Sequence, residues 1–339
     1  MTEKNPLPEG FSIRPATMDD LDEAVDLFNL CSIEMTGTPG HNHSEIGNEW
    51  KTPGFNQETD QRLVFSPEGK MVGYVEGWTI SDTPVHPWIW GRVHPDYKGL
   101  GIGTYMLDWA VQRVSQVVDK VPAEARVAYR VGTIEGHPES NELLVNYGMD
   151  LIRHSFQMRI ELDGTIPTPV WPEGIQVRTF RKEDAKAVYL ADDEAFQDHF
   201  GYVPEDEETG FAQFSHYFYE NDDFDPNFWF LAMDGDEIAG FSLCRSKSRE
   251  DENMGWISSL GVRRPWRKRG LGLALLHHTF GVMQQAGKQR AGLGVDAENL
   301  TGALRLYQKA GMHVYRQFNL YEKELRPGKE ISTVSVDPE

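Results

Sequence analysis

The sequence is poor in cysteine: Cys31 and Cys244 are the only two among 339 residues. Neither lies in a CxxC or Cys/His spacing. That excludes a disulfide framework and a thiolate metal centre, and makes a reducing cytoplasm the expected setting. Basic charge is also scarce, with 33 Lys plus Arg against 53 Asp plus Glu and a formal net charge of −20. A nucleic acid or an anionic membrane surface calls for a cationic footprint, so neither is an expected partner. No run approaches the ~18 apolar residues of a spanning helix. The opening MTEKNPLPEG has no apolar centre, so no signal peptide is expected. What is present is apolar material for sizeable cores, 39% hydrophobic and 11% aromatic. The length suits two domains of ~150 residues.

The chain repeats itself. GFSIRPATMDDLDEA from Gly10 matches GIQVRTFRKEDAKA from Gly174, with Arg14 on Arg178 and Asp20 on Asp184. Each reads as a short strand, a polar turn and an amphipathic helix. KMVGYVEGW (Gly73) matches EIAGFSLC (Gly240), each the second strand of a hairpin turning at Ser66–Lys70 or Met233–Glu237. VHPDYKGLGIGTYMLDWAV matches VRRPWRKRGLGLALLHHTF, and NYGMDLI matches KAGMHVY with Gly148 on Gly311. The offset stays between 163 and 169 throughout. This predicts two copies of one fold: a domain over 1–163, a linker over 164–174 containing Pro167, Pro169 and Pro172, and a second domain over 175–325. A polar tail over 326–339 is expected to be poorly ordered. Each copy predicts a strand, one or two helices, three strands, a helix, a strand, a helix and two strands. Hairpin-connected middle strands make the class α/β with a mixed sheet.

The sharpest motif is Arg267-Lys268-Arg269-Gly270-Leu271-Gly272, between a strand (Trp256 to Val262) and an apolar helix. Glycines at a helix entrance let the backbone approach a ligand, and the free N–H groups of the first turn attract an anion. Arg263, Arg264, Arg267, Lys268 and Arg269 place five cations in seven residues of an acidic chain. A polyphosphate supplies a reason for that concentration. The loop is neither a Walker A loop nor a full dinucleotide fingerprint. The first copy carries Lys98-Gly99-Leu100-Gly101-Ile102-Gly103 at the matching place.

These two loops resemble the Arg/Gln-x-x-Gly-x-Gly/Ala pyrophosphate loop of the GNAT superfamily of N-acetyltransferases. DAENLTGALRLYQKAGM (Asp296 to Met312) is similar to that superfamily's N-x-x-A-x-x-L-Y-x-x-x-G-F segment. The resemblance covers nearly the whole chain as two tandem acyl-CoA N-acyltransferase domains. VRRPWRKRGLG is also similar to mycothiol synthase, itself a double-GNAT enzyme. The resemblance implies acetyl-CoA (CoA) as cofactor, with Leu260, Gly261 and Val262 along the pantetheine and thioester. It further implies Arg267 to Leu273 (Arg267, Lys268, Arg269, Gly270, Leu271, Gly272, Leu273) at the pyrophosphate and Asn299 beside the cofactor. In the first copy the implied contacts are Val93, Lys98, Gly99, Leu100, Gly101, Ile102, Gly103 and Thr104. Tyr307 takes the general-acid position. An alkylammonium must lose a proton before attack, yet Trp256 to Leu260 offers no carboxylate; Asp296, with Glu298 behind it, is the nearest candidate. In the first copy Leu144 falls where Tyr307 stands, and Asn141 is out of step with Asn299. The first copy is therefore expected to be catalytically reduced.

Between Ala187 and Cys244 there is no Lys or Arg, but there are 15 acids and 14 interleaved aromatics. By the resemblance this region walls the acceptor site. Such a wall would draw cationic amines, with acids at the mouth rather than against the nucleophile, where they would favour the ammonium form. Asp198, His199, Phe200 and Tyr202 are the expected acceptor contacts. The His41/His43/Glu45 loop reads as polar, and no metal site is expected. The reading is an acetyltransferase acting on a small-molecule primary amine, as a monomer or homodimer. A protein or peptide acceptor and a non-catalytic acyl-CoA sensor are the alternatives.

Overall fold

The computed structural model describes residues 6–299 and 302–335. It forms two compact units. The first holds the residues up to Arg153 with Phe318–Ile331, and the second holds His154–Gln317 with the segment from Ser332.

In chain order the first copy contains β1 (Ser12–Arg14), α1 (Leu21–Thr36), α2 (His43–Glu49), α3 (Gln57–Asp60), β2 (Gln61–Phe65), β3 (Met71–Trp78), β4 (Trp88–Val93), α4 (Ile102–Ser115), β5 (Val127–Ile134), α5 (Pro138–Asn146) and β6 (Asp150–Glu161). The second contains β7 (Ile175–Thr179), α6 (Ala185–Phe196), α7 (Glu207–Phe218), β8 (Trp229–Asp234), β9 (Glu237–Arg245), β10 (Met254–Val262), α8 (Leu271–Gln285), β11 (Arg290–Asp296), α9 (Ala303–Lys309) and β12 (His313–Arg326). The class is α/β with a mixed sheet: hairpin pairs are antiparallel, while β4–β5 and β10–β11 are parallel.

Local chemistry explains the elements. In α4, Ile102, Met106, Ala110 and Val114 recur every four residues and are buried on one face. The first helix of each copy is entered through the same device. Arg14 grips Asp20 with two hydrogen bonds of 2.8 and 2.5 Å, and Arg178 grips Asp184 at 2.6 and 2.7 Å. The same acids cap the preceding turn, accepting from the N–H of Thr17 and of Arg181. Each sheet is covered on both faces. In the first unit α4 packs Ile102 and Met106 onto Val75 and Ile89, while α1 and α2 pack Phe28 and Ile46, with Trp50 just past α2, onto Leu63 and Tyr74. In the second, α8 and α9 pack Leu276, Phe280 and Tyr307 onto Ile257 and Leu293, while α6 and α7 pack Val188 and Phe214 onto Trp229 and Phe241.

Two features differ from the sequence reading. The two closing strands expected in each copy are one long strand, β6 or β12. These strands are also exchanged. From Ser155, β6 pairs antiparallel with β11 of the second unit, and from Phe318, β12 pairs antiparallel with β5 of the first. Two of the three unit boundaries therefore fall inside strands, at 153/154 and 317/318, and the third at 331/332, none of them in the linker over 164–174. Buried ion pairs hold the exchanged strand in the first unit: Glu322 accepts from Arg126 at 2.6 Å and from Arg130 at 2.9 Å. The tail after Leu325 is not loose where it is described. Arg126 N–H donates to Lys329 O at 2.8 Å, and Thr333 exchanges two main-chain hydrogen bonds with Gly201 and Tyr202. Residues 336–339 of that tail lie outside the described part.

Candidate functional site

The glycine-rich turns have one backbone shape in both copies. Gly270 precedes α8 with φ 86°, and Gly101 precedes α4 with φ 82°. Two residues earlier, Lys268 has φ 61° and Gly99 has φ 74°. Lys268 is the only non-glycine with positive φ among the described residues. Left-handed backbone costs an L side chain roughly 1–2 kcal/mol, so its retention marks a constrained loop. Alternating left- and right-handed residues aim successive N–H groups into one concavity, and the helix dipole adds to its pull on an anion. The second glycine serves packing. A Cβ on Gly272 would meet Leu306 at 3.0 Å, and one on Gly103 would meet Leu143 at 3.3 Å.

The cations around these loops are mostly engaged. Arg267 donates to Val262 O at 3.0 Å, to Ala195 O at 3.1 Å and to Asp198 at 2.5 Å. Asp198 also accepts from Arg264 at 2.6 Å, and Arg263 pairs with Glu194 at 2.7 Å. Asp198, expected at the acceptor, is instead buried between Arg264 and Arg267, which hold its carboxyl down at about 2. The first copy repeats the brace, with Lys98 Nζ 2.7 Å from Glu34 and 2.8 Å from Glu139. Glu34, His137 and Glu139 cluster closely enough for a metal, but Lys98 Nζ sits among them. Only Lys268 and Arg269 of the five cations stand exposed beyond Arg264, at the mouth of the second turn.

The parallel strands beside each turn part company. β4 meets β5 only at Trp88 and Ile89, and β10 meets β11 only from Met254 to Ile257. Beyond these points Trp90–Val93 and Ser258–Val262, including Leu260, Gly261 and Val262, have one open edge. The two strands differ in length. Against the five residues Gly73–Gly77, β4 presents Ile89–Val93. Against the equivalent five, Gly240–Cys244, β10 presents six, Ile257–Val262. The extra residue is a bulge between Ile257 and Ser259. A bulge shifts the side-chain alternation by one. Ile257 and Leu260 thus face α8, while Ser259 and Gly261 face α6.

Tyr307 on α9 is 8% exposed, beside Leu276 and Phe280. Burial pushes its phenol up to about 12, and its hydroxyl has no hydrogen-bond partner among the described residues. Its counterpart Leu144 is a buried core residue, and nearby Tyr147 turns to α4, donating to Asp108 at 2.6 Å. Asp296 ends β11 and acts electrostatically on His199, whose ring is half-buried 4.3 Å from Phe196. Those two expected site residues are brought together. Tyr202 donates to Asp193 at 2.9 Å, and Phe200 is half-buried in the same turn. Asn299 caps the approach to α9, accepting from Ala303 N–H at 3.1 Å. Most aromatics of the acidic stretch pack inward around Phe214, Trp229 and Phe241, and several of its acids cap turns, as Asp206 and Asp225 do.

One group escaped the sequence reading. Asp192 on α6 accepts a 2.6 Å hydrogen bond from Ser259 Oγ, and burial raises its carboxyl to about 7. The signal was available in the repeat: the 164-residue offset that aligns the first helices places Asp192 on Phe28.

The acetyltransferase (GNAT) family model matches residues 24–125 and 186–312. The chain belongs to the GNAT family. It is 33% identical over 270 residues to a mycothiol acetyltransferase of Streptomyces bingchenggensis, covering 77% of this chain and 80% of that one. A second such enzyme, from Streptomyces scabiei, is 32% identical over 282 residues, with 80% and 82% covered. A GCN5-related N-acetyltransferase from Sphaerobacter thermophilus superposes with a TM-score of 0.78 at 34% identity, over 97% of this chain and 100% of that one. A tandem GNAT protein from the clavulanic acid pathway shares the fold at TM-score 0.69 and 15% identity, over 94% and 100%. The protein is thus a tandem GNAT acyltransferase, and acetyl-CoA is its cofactor. The turn fits that group: its strained Lys268, its αL Gly270 and the exposed Arg269 form an anion cradle at a helix start. No described helix is long and apolar enough to cross a membrane.

Proposed function

We propose that this GNAT protein acetylates a primary amine of a small-molecule acceptor and that its second unit carries the reaction. The observation that supports this most is the buried Tyr307 with an unpartnered hydroxyl, in the unit whose strand beside the turn is bulged. The first unit has Leu144 and an unbulged strand instead.

When bound, acetyl-CoA supplies an activated acetyl thioester and a thiol leaving group. The first-turn N–H groups from Arg269 to Leu273 would hold its pyrophosphate, with Lys268 and Arg269 adding charge. The open edge of Leu260, Gly261 and Val262 would lie along the pantetheine and offer an N–H to the thioester oxygen. Tyr307 keeps its proton across the neutral range and holds it for the departing sulfur. Asn299 orders the approach to α9. In the first unit, Val93 and Lys98 to Thr104 form a similar cradle, but Glu34 and Glu139 neutralise its cation.

His199, Phe200, Tyr202 and Asp296 form the acceptor's entrance. Asp206, Glu207 and Glu208 stand exposed at the start of α7 and would attract a cationic amine. Given the relatives, the acceptor of mycothiol acetylation is the first to test. The protein is read as cytoplasmic, monomeric or homodimeric, acting without nucleic acid or membrane.

The test is CoA release from acetyl-CoA against a panel of amines. Amine-dependent release is expected, with Tyr307→Phe lowering kcat about 10²-fold at little change in the KM for acetyl-CoA. Stoichiometric acetyl-CoA binding without release for any amine would favour the sensor reading. Release with peptides alone would favour a protein acceptor.

A further inference from the structure

The general base of the second unit has no carboxylate to serve it on β10 itself, where Trp256–Leu260 carries none. The fold brings one in from the helix opposite. Ser259 lies opposite Leu243 and faces α6, just beyond the last β10–β11 pairing at Ile257 and Leu293. There Ser259 donates to Asp192 at 2.6 Å. Asp192 accepts no other hydrogen bond among the described residues, and part of the residue stays accessible. This carboxylate lies on the α6 side of β10, beside the point where β10 and β11 part.

The first copy serves as an internal control. α1 and α6 share one register from Asp20/Asp184 to Glu34/Asp198, because both last acids brace the first cation of their turns. In that register Phe28 stands where Asp192 does. Trp90 pairs with Glu76 of β3 as Ser259 pairs with the equivalent Leu243 of β9. Phe28 and Trp90 meet edge to face, ring centroids 4.9 Å apart. The same two positions thus hold an apolar contact in the copy without a tyrosine on its last helix, and a polar dyad in the copy with one. The fold does not require the polar pair. A buried carboxyl carries a desolvation cost, so its presence in one copy alone points to chemistry. The other deeply buried acid near a strand centre, Glu76, has both oxygens taken by donors from Tyr74 and Trp78, whereas Asp192 has the single donor Ser259 among the described residues.

We propose that Asp192 and Ser259 form the proton-accepting dyad for the acceptor amine, a role that rests on the acetyl-transfer reading above. One N–H bond of the bound ammonium breaks as a new O–H bond forms at Ser259 Oγ. The proton Ser259 held passes to Asp192 Oδ1, which later releases it to water. The freed amine keeps its lone pair for the acyl carbon, and Tyr307 remains the separate proton source for the leaving sulfur. Ser259 is the catalytic residue of the pair, and Asp192 positions and drives it. Burial is the largest influence on Asp192 and raises its pKa; the hydrogen bond from Ser259 of β10 lowers it, and Asp193 of its own helix is the charged group that raises it.

The experiment compares wild type, Asp192→Asn and Ser259→Ala as full chains, with acetyl-CoA and the best amine of the panel. kcat/KM of the wild type should rise with pH to a bend near 7. Both variants should lose about 10²-fold or more, and Asp192→Asn should lose the bend, while acetyl-CoA affinity and thermal midpoint stay within normal range. In ¹³C-carboxyl-labelled protein, a resonance absent from Asp192→Asn should titrate near 7 and shift in Ser259→Ala. An unchanged pH profile in Asp192→Asn, or an Asp192 resonance titrating at the ordinary ~4, overturns the dyad and leaves acetyl transfer standing. No amine-dependent release by the wild type overturns the acetyl-transfer reading and the dyad with it.

Discussion

Single residues separate the two turns, although the turns share a shape. Gly270 and Gly101 both have φ above 80° with open space where a Cβ would go, so alanine at either costs backbone strain alone, roughly 1–2 kcal/mol. If the second turn holds the working cofactor, Gly270→Ala raises the KM for acetyl-CoA about tenfold while Gly101→Ala leaves it unchanged. Steady-state kinetics beside thermal melts of both variants separate the two. Asp198 tests the brace. Its pKa is depressed to about 2 in the folded protein by Arg264, then Arg267. A depressed acid contributes stability that is complete above its unfolded value, ~4, and is lost as pH falls through 2. Asp198→Asn is therefore expected to lower stability at pH 7 by about 2 kcal/mol and to flatten the loss between pH 4 and 2, with Asp20 and Asp184 supplying what remains. Equilibrium denaturation across that range measures it.

At the scale of elements, the one-residue bulge in β10 inserts Ser258 and leaves Ser259 opposite Leu243, on the same face as Trp90 of β4. Deleting Ser258 gives β10 the length of β4. The expected variant melts cooperatively within a few degrees of the wild type and keeps its CoA release, because Ser259 stays opposite Leu243 and faces α6 as Trp90 faces α1. A variant that loses turnover would show that the bulge itself shapes the site. Much at this scale was legible in the sequence. The repeat, the hairpin turns and the glycine-capped helices followed from spacing and periodicity, as did the contrast of Tyr307 with Leu144. The bulge was legible only as a drift of offset, because inserting one residue in a strand leaves its composition unchanged. Asp192 was hidden among 15 acids of one segment, since local sequence does not say which face of α6 meets β10. Asp198 was misplaced for a related reason: its partners Arg264 and Arg267 come from 66 and 69 residues away.

The exchange of closing strands was not legible at all. β6 and β12 occupy the same place in their copies and read alike, so nothing local tells either strand which sheet it joins. The consequence for the whole molecule is that neither copy carries a complete sheet. Residues 1–174 alone should fail to give a cooperative melt, because β5 lacks the partner that Phe318–Arg326 provides. A chain cut between 164 and 174 but purified with both pieces present should recover one. A cooperative, protease-resistant isolated first copy would show that the exchanged strand is dispensable. The exchange also bears on how the protein is made. Arg126 waits for Glu322, 196 residues further along the chain. The first-born half cannot seal its sheet while it leaves the ribosome. Until Phe318–Arg326 has been made, the edge of β5 stays open to whatever strand reaches it first. Maturation of the first copy is thus paced by a strand made long after it, and slow translation or a stop codon before Phe318 should harm the first sheet as much as the second.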